Sequence, residues 1–69
     1  MQYGRKWTGP LPDKCQLCDT QLKGHHWVDG RCERGSWAYM CLRCHTEYGY
    51  GLGTGQGQKY NDEGWVVEG

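Results

Sequence analysis

The residues with the clearest chemistry are two Cys-x-x-Cys pairs, Cys15 with Cys18 and Cys41 with Cys44. At this spacing both sulfurs of a pair can face one point, so two pairs supply four thiolates. Four thiolates complete the tetrahedral shell of a structural Zn²⁺ site. The sequence therefore predicts one structural zinc ion bound by Cys15, Cys18, Cys41 and Cys44.

Four other side chains could replace one of these ligands: Cys32, His25, His26 and His45. Cys32 lies in a predicted hairpin, where we interpret it as a small buried apolar residue. His25 and His26 are adjacent, so on a strand they point to opposite faces and only one could reach the site. The four-cysteine set is the preferred prediction.

Residues 41–45 also match Cys-x-x-Cys-His, the attachment sequence of c-type haem. That interpretation needs an oxidising compartment and an axial ligand such as Met40, and it leaves Cys15 and Cys18 without a role.

A catalytic zinc keeps an open coordination position, whereas four thiolates close the shell. A redox Cys-x-x-Cys needs a βαβ context, and we expect no helix of useful length. We therefore expect a protein that is not an enzyme.

A chain of 69 residues with 12 glycines buries too little apolar surface to fold without a staple. Its 5 cysteines are an odd number, which argues against a closed disulfide framework. Residues 1–14 hold no apolar segment of the kind that directs export, and no stretch could span a membrane. We therefore expect a cytoplasmic location, where Cys-x-x-Cys pairs more often hold metal.

Turn residues and alternating aromatic positions predict a mainly β fold. Residues 1–12 are expected to form a flexible N-terminal arm, and residues 13–69 a single domain with an antiparallel sheet of about three strands. A first strand is predicted at residues 25–28, with a hairpin turn at Asp29-Gly30 and a return to residue 33. A second turn or bulge at 34–36, a strand at 37–40, and a terminal hairpin over 58–67 follow.

Glycine occupies every second position from 49 to 57. Two is the strand period, so an extended chain here would have one face without side chains. Such a face would let another backbone or a ring approach closely. The alternative is a flexible glycine-rich crossover at residues 49–57 that passes over the zinc site. The spacing fits neither a dinucleotide-binding fingerprint nor a P-loop.

The formal net charge is +0, and four thiolates on one Zn²⁺ add −4 and +2, giving about −2. No run of basic residues provides the electrostatic footprint of a duplex-binding protein. Most of the 4 Trp and 5 Tyr are expected in the core of so small a chain. We therefore favour a monomeric interaction module that docks on a protein or nucleoprotein partner, with a protein preferred.

The alternative is a single-stranded nucleic-acid binder that uses aromatic stacking rather than charge. A redox or haem protein is the remote third class. Basic and aromatic side chains near the hairpin and the second cysteine pair would be the contact residues of a partner or nucleic acid. They are Arg31, Arg34, Arg43, Tyr48 and Tyr50.

The order of cysteine pair, β-hairpin, second pair and short strand resembles the zinc-ribbon fold group over residues 13–60. The segments 37–45 and 48–58 also resemble parts of small zinc-binding proteins of bacteriophages, prophages and bacteria that have two Cys-x-x-Cys pairs and a glycine-rich tail. The resemblance implies a cytoplasmic zinc-binding protein and points to no particular activity. Zinc ribbons at large bind nucleic acid or protein, and the fold alone does not choose between them.

Overall fold

The computed structural model describes residues 5–35 and 37–69. Four strands form one antiparallel sheet in the order β2-β1-β3-β4. The small, mainly β fold class predicted from the sequence is confirmed, with four strands where about three are expected. In chain order the elements are β1 (Trp27–Arg31), β2 (Trp37–Cys41), α1 (Leu42–Tyr48), β3 (Gly57–Tyr60) and β4 (Val66–Glu68).

The first hairpin turns later than the sequence predicts. Asp29 and Gly30 pair with β2 inside the β1 strand, so the prediction of a turn at these two residues was wrong. The chain reverses after β1 instead, where Gly35 has φ 126°, a value that favours glycine. Residues 1–4 of the predicted arm and Ser36 of the predicted second turn lie outside the described residues.

The terminal hairpin is present where it is expected. β3 pairs with β4, and Asn61 organises the turn between them. The Asn61 Oδ1 accepts hydrogen bonds from the backbone N–H groups of Glu63 at 3.0 Å and Trp65 at 2.9 Å. This is the local side-chain-to-backbone bonding that makes asparagine a turn residue.

The expectation that no useful helix forms is corrected by α1, which is 7 residues long. Glycine becomes dense only from Gly49 onward, so the stretch before it can be helical. An isolated helix of this length is not stable in water, but α1 packs on β1 and β2. Over the described ranges no helix is long and apolar enough to cross a membrane.

An aromatic cluster covers one face of the sheet. Trp27 and Tyr60 stack with ring centroids 4.4 Å apart. Trp7 approaches the rings of Trp27, Tyr39 and Tyr60 edge-on, at 5.3, 5.5 and 5.6 Å. The Val66 N–H also donates to the Arg5 carbonyl, so residues next to the cluster line the outer edge of β4.

The glycine-rich stretch is not an extended strand with one bare face. The chain folds back on itself at residues 53–57, where the Gly57 N–H donates to the Gly53 carbonyl at 3.0 Å. Gly53 and Gly55 have φ values of 119° and 80°, which side chains rarely adopt. Backbone conformation, rather than a bare face, therefore explains glycine at these alternating positions.

Candidate metal centre

The first cysteine pair sits in a tight loop. The Cys15 N–H donates to the Thr20 carbonyl at 2.8 Å, and the Asp19 N–H donates to the Cys15 carbonyl at 2.9 Å. Asp19 has φ 64°, a left-handed conformation that Asp tolerates better than most residues. The loop therefore curls around Cys15 and Cys18.

Hydrogen bonds fasten this loop to the outer edge of β2. The Gln16 N–H donates to the Tyr39 carbonyl at 2.9 Å. In return, the Tyr39 N–H donates to the Gln16 Oε1 at 2.8 Å. Because β2 ends at Cys41, docking the loop on this edge brings the first cysteine pair to the second.

The second pair lies at the junction of β2 and α1. Cys41 is the N-cap of α1, and its Sγ accepts a hydrogen bond from the Cys44 N–H at 3.4 Å. Cys44 lies in the first turn of the helix and is buried. A strand followed at once by a helix thus turns both sulfurs toward the first pair.

All four sulfurs meet in one cluster. The Sγ atoms of Cys15, Cys18, Cys41 and Cys44 lie within 4.8 Å of one another. The Sγ atoms of Cys18 and Cys41 are 3.8 Å apart. A regular tetrahedron with Zn–S bonds of about 2.3 Å has sulfurs about 3.8 Å apart. The cluster therefore has the ligand type and nearly the size needed to hold a metal ion.

The cluster is sheltered on one side only. Cys15 and Cys44 are buried, Cys41 is half-buried and Cys18 is exposed. A groove of about 740 Å³ opens beside it, with Cys18, Cys41 and Cys44 in its wall. A bound ion would therefore be covered from within and lie near solvent at its outer edge.

Three of the four thiols have shifted pKa values, and the shifts differ in direction. Hydrogen bonds from the Thr20 hydroxyl and backbone lower the pKa of Cys18 to about 6, and the Cys18 Sγ lies 3.1 Å from the Thr20 Oγ1. Burial raises the pKa of Cys41 and of Cys44. The lowered pKa favours the thiolate of Cys18 at neutral pH, while a metal must displace protons from Cys41 and Cys44.

The alternative ligands lie outside the four-thiol cluster. Cys32 is buried and forms a backbone bridge with Gly49. The His45 Nε2 lies 3.0 Å from the Gly51 carbonyl oxygen, within hydrogen-bonding distance. His25 and His26 are exposed and line the groove rather than the cluster. The haem interpretation leaves Cys15 and Cys18 without a role, whereas in the structure both belong to the four-sulfur cluster.

The predicted contact residues separate into two groups. The Arg31 guanidinium lies over the Tyr50 ring at 5.4 Å, and that of Arg34 over the Tyr48 ring at 4.9 Å. Arg43 instead pairs on α1 with Glu47, at 3.4 Å. The structure therefore brings four of the five together as cation–π pairs and engages Arg43 elsewhere.

Three residues that matter for the site were missed from the sequence. Gln16 and Thr20 flank Cys18 by two positions, and polar residues this close to a ligand are the ones placed to hydrogen-bond its sulfur or fix its loop. Trp37 is the third, because the alternating pattern places it on a strand but does not predict that its side chain is exposed. It is 47 % exposed.

Comparisons with protein-family models, with curated proteins and with solved structures gave no match. The resemblance to zinc ribbons and phage proteins therefore stays a prediction.

Proposed function

We propose that this chain is an interaction module folded around one structural Zn²⁺ that Cys15, Cys18, Cys41 and Cys44 bind. The observation that carries the proposal is the convergence of four sulfurs to within 4.8 Å. Four thiolates in tetrahedral arrangement suit zinc or iron and exclude hard ions such as Mg²⁺. Zinc binds such ligands more tightly than Fe²⁺.

The proposed zinc stabilises the fold and does no chemistry. Four protein ligands fill the tetrahedral shell, so no position is left where water could be activated. At this chain length, apolar burial and ordering entropy nearly cancel, while structural zinc contributes roughly 10–16 kcal/mol of apparent binding free energy. The folded state therefore depends on the metal.

Exposed aromatic residues support a binding role. Trp37 and Tyr50 are 47 % and 57 % exposed. Large aromatic side chains contribute strongly to a small core when buried, so their exposure favours a role at the surface. Tryptophan, tyrosine and arginine are the residues that dominate binding energy at interfaces. Cys15, Cys18, Cys41 and Cys44 form no disulfide, which supports action in a reducing compartment such as the cytoplasm. The module is proposed to act as a monomer.

Native mass spectrometry and amide NMR spectra, with and without a chelator, test the proposal. We expect one zinc per chain and a colourless protein, and loss of amide dispersion throughout the domain when zinc is removed. Cys44→Ser should behave like the chelated protein. Cys32→Ala is the matched control, because its sulfur lies outside the cluster, and it should keep one zinc.

Two results would contradict the structural role of zinc. One is a chelated chain that keeps its dispersed amide spectrum. The other is loss of metal in Cys32→Ala while Cys44→Ser retains it. Visible absorption typical of iron thiolate in the purified protein would overturn the choice of metal but leave the ligand set intact.

A further inference from the structure

Two arginine–tyrosine pairs lie where the chain leaving α1 passes the end of β1. Arg31 covers the Tyr50 ring at 5.4 Å, and Arg34 covers the Tyr48 ring at 4.9 Å. A guanidinium held over a ring is oriented by the ring's negative face. These two cations are therefore more ordered than arginines that extend freely into solvent.

A third aromatic residue joins the same surface. Trp37 is the cross-strand partner of Arg31, so the two side chains project from one face of the sheet. A bridge between Cys32 and Gly49 links the residue after Arg31 to the residue before Tyr50. We call this set the arginine–aromatic surface: Trp37, Arg31, Tyr50, Arg34 and Tyr48.

The two arginines of this surface are not neutralised. In the part of the chain that the structure describes, Arg43 and Lys59 form ion pairs with carboxylates, but Arg31 and Arg34 do not. Glu33 lies between them in sequence and is exposed. The surface thus carries a local excess of positive charge on a protein whose zinc-loaded form is about −2 overall.

We propose that the arginine–aromatic surface binds single-stranded nucleic acid, DNA or RNA. The exposed rings of Trp37 and Tyr50 can each stack with a base, and stacking accepts any base because each has a π-face. Arg31 and Arg34 offer guanidinium N–H donors to the backbone phosphates between those bases. Rings interleaved with cations match the alternation of bases and phosphates along an unpaired strand.

The geometry favours a single strand over the other partners. Duplex DNA hides its base faces, and binding it rests on more phosphate contacts than two arginines supply. The sequence favours a protein partner partly because most of the aromatic residues are expected in the core, but Trp37 and Tyr50 are exposed and leave two rings available for stacking.

This inference rests on the proposed function, because the surface exists only on the zinc-loaded fold. The two can fail separately. A chain that holds one zinc and is folded, yet binds no oligonucleotide, would overturn the nucleic-acid inference and leave the structural zinc untouched.

Fluorescence anisotropy of labelled single-stranded oligonucleotides tests the proposal. We would use oligothymidylate DNA and oligouridylate RNA of about ten nucleotides, within the range of single-strand site sizes. The zinc-loaded chain should bind at least one of them at physiological salt, with a Kd of about 1–100 μM. Trp37→Ala and Tyr50→Ala should each weaken binding about 5- to 150-fold, the equivalent of one lost stacking contact.

Charge variants separate phosphate contacts from general attraction. Arg31→Gln with Arg34→Gln should reduce the salt dependence of log Kd by about 1.4, or about 0.7 for each phosphate contact on a single strand. Lys59→Gln is the matched control: it removes one positive charge from β3, where Lys59 faces Glu68, and should leave that slope unchanged. Glu33→Gln should strengthen binding.

Zinc content and amide dispersion are measured for every variant, so that loss of fold is not scored as loss of a contact. Absence of binding by the folded, zinc-loaded chain would overturn the proposal. So would equal binding by Trp37→Ala, Tyr50→Ala and the unaltered protein. A protein that is captured by the unaltered chain but not by Trp37→Ala, without oligonucleotide binding, would assign the surface to a protein partner instead.

Discussion

A Cβ atom on Gly57 would lie 2.7 Å from the Cα of Gly30, closer than real Cβ contacts come. The two glycines are direct partners across β1 and β3. A Cβ on Gly30 would lie 2.7 Å from the Gln56 carbonyl oxygen, a backbone atom that cannot swing away. The absence of side chains at Gly30 and Gly57 thus allows β1 and β3 to approach this closely.

We expect Gly30→Ala to lower the free energy of unfolding of the zinc-loaded protein by about 1–3 kcal/mol, the range for overpacking. Gly30 has no positive φ, so the cost is steric. Urea denaturation at a fixed free-zinc concentration measures it. Hydrogen exchange should also show weaker protection of the amides that pair β1 with β3.

Gly55→Ala is the comparison for this prediction. Gly55 has φ 80° and no neighbour within 4 Å of a Cβ, so its cost is conformational, about 1–2 kcal/mol. It should leave the protection of β1 and β3 amides unchanged. An unaltered urea midpoint in Gly30→Ala would show that the strands can separate without loss.

The four cysteines of the cluster could be predicted because Cys-x-x-Cys spacing is a local property of the chain. How the two pairs meet could not be predicted. That depends on the mutual hydrogen bonds between Gln16 and Tyr39, which join residues far apart in sequence. Nothing in the composition of either segment indicates this pairing.

The predicted position of the hairpin turn was wrong because the same dipeptide can form a tight turn or lie within a strand. Asp29-Gly30 has the composition of a tight turn, but the structure uses Gly30 for close approach of β3. The alternating glycines are similar: a bare strand face would produce the same sequence pattern as the positive φ values found at every second residue from Gly51 to Gly57. Only tertiary contacts and backbone angles separate these causes.

The short helix also depended on context. Seven residues have little intrinsic helix stability, so α1 could not be expected from local composition alone. The structure supplies a cap from the Cys41 sulfur and packing against β1 and β2. The helix thus depends on the Cys41 cap and on packing against the sheet more than on its own composition.

Two tryptophans should respond in opposite ways to truncation. Trp7 meets three rings of the aromatic cluster, and its Nε1–H donates to the Pro10 carbonyl at 2.9 Å. We expect Trp7→Ala to lower the free energy of unfolding by about 2–4 kcal/mol. Trp37 is 47 % exposed, and Trp37→Ala should change it by no more than about 0.5 kcal/mol.

Urea denaturation of the two zinc-loaded variants side by side gives the comparison. If Trp7→Ala proved as stable as the unaltered protein, the aromatic cluster would not hold the segment before the metal centre in place. A large loss in Trp37→Ala would mean that this ring is needed for the fold, and its use as a free stacking surface would then be untenable.

The pH dependence of stability should reveal the half-buried environment of Asp29. Burial raises the pKa of this carboxyl above 3.8. The folded state therefore holds the proton more tightly than the unfolded state, and the stability that this provides is complete below pH 3.8. It is lost as pH rises to the raised pKa and stays lost at pH 7. Asp29→Asn removes the ionised form and should increase the free energy of unfolding at pH 7.

The pKa of Tyr60 provides a second measure of the charge on Asp29. Burial is the main cause that raises the pKa of Tyr60 above 10.0, and the Asp29 charge adds to it while Arg5 opposes it. In Asp29→Asn the pKa of Tyr60 should fall toward 10.0, which a ¹³C NMR titration of the ring measures. Asp62→Asn, the same change in an exposed turn, should move neither quantity. A lower free energy of unfolding in Asp29→Asn at pH 7 would mean that the carboxylate stabilises the fold and that burial is not its dominant influence.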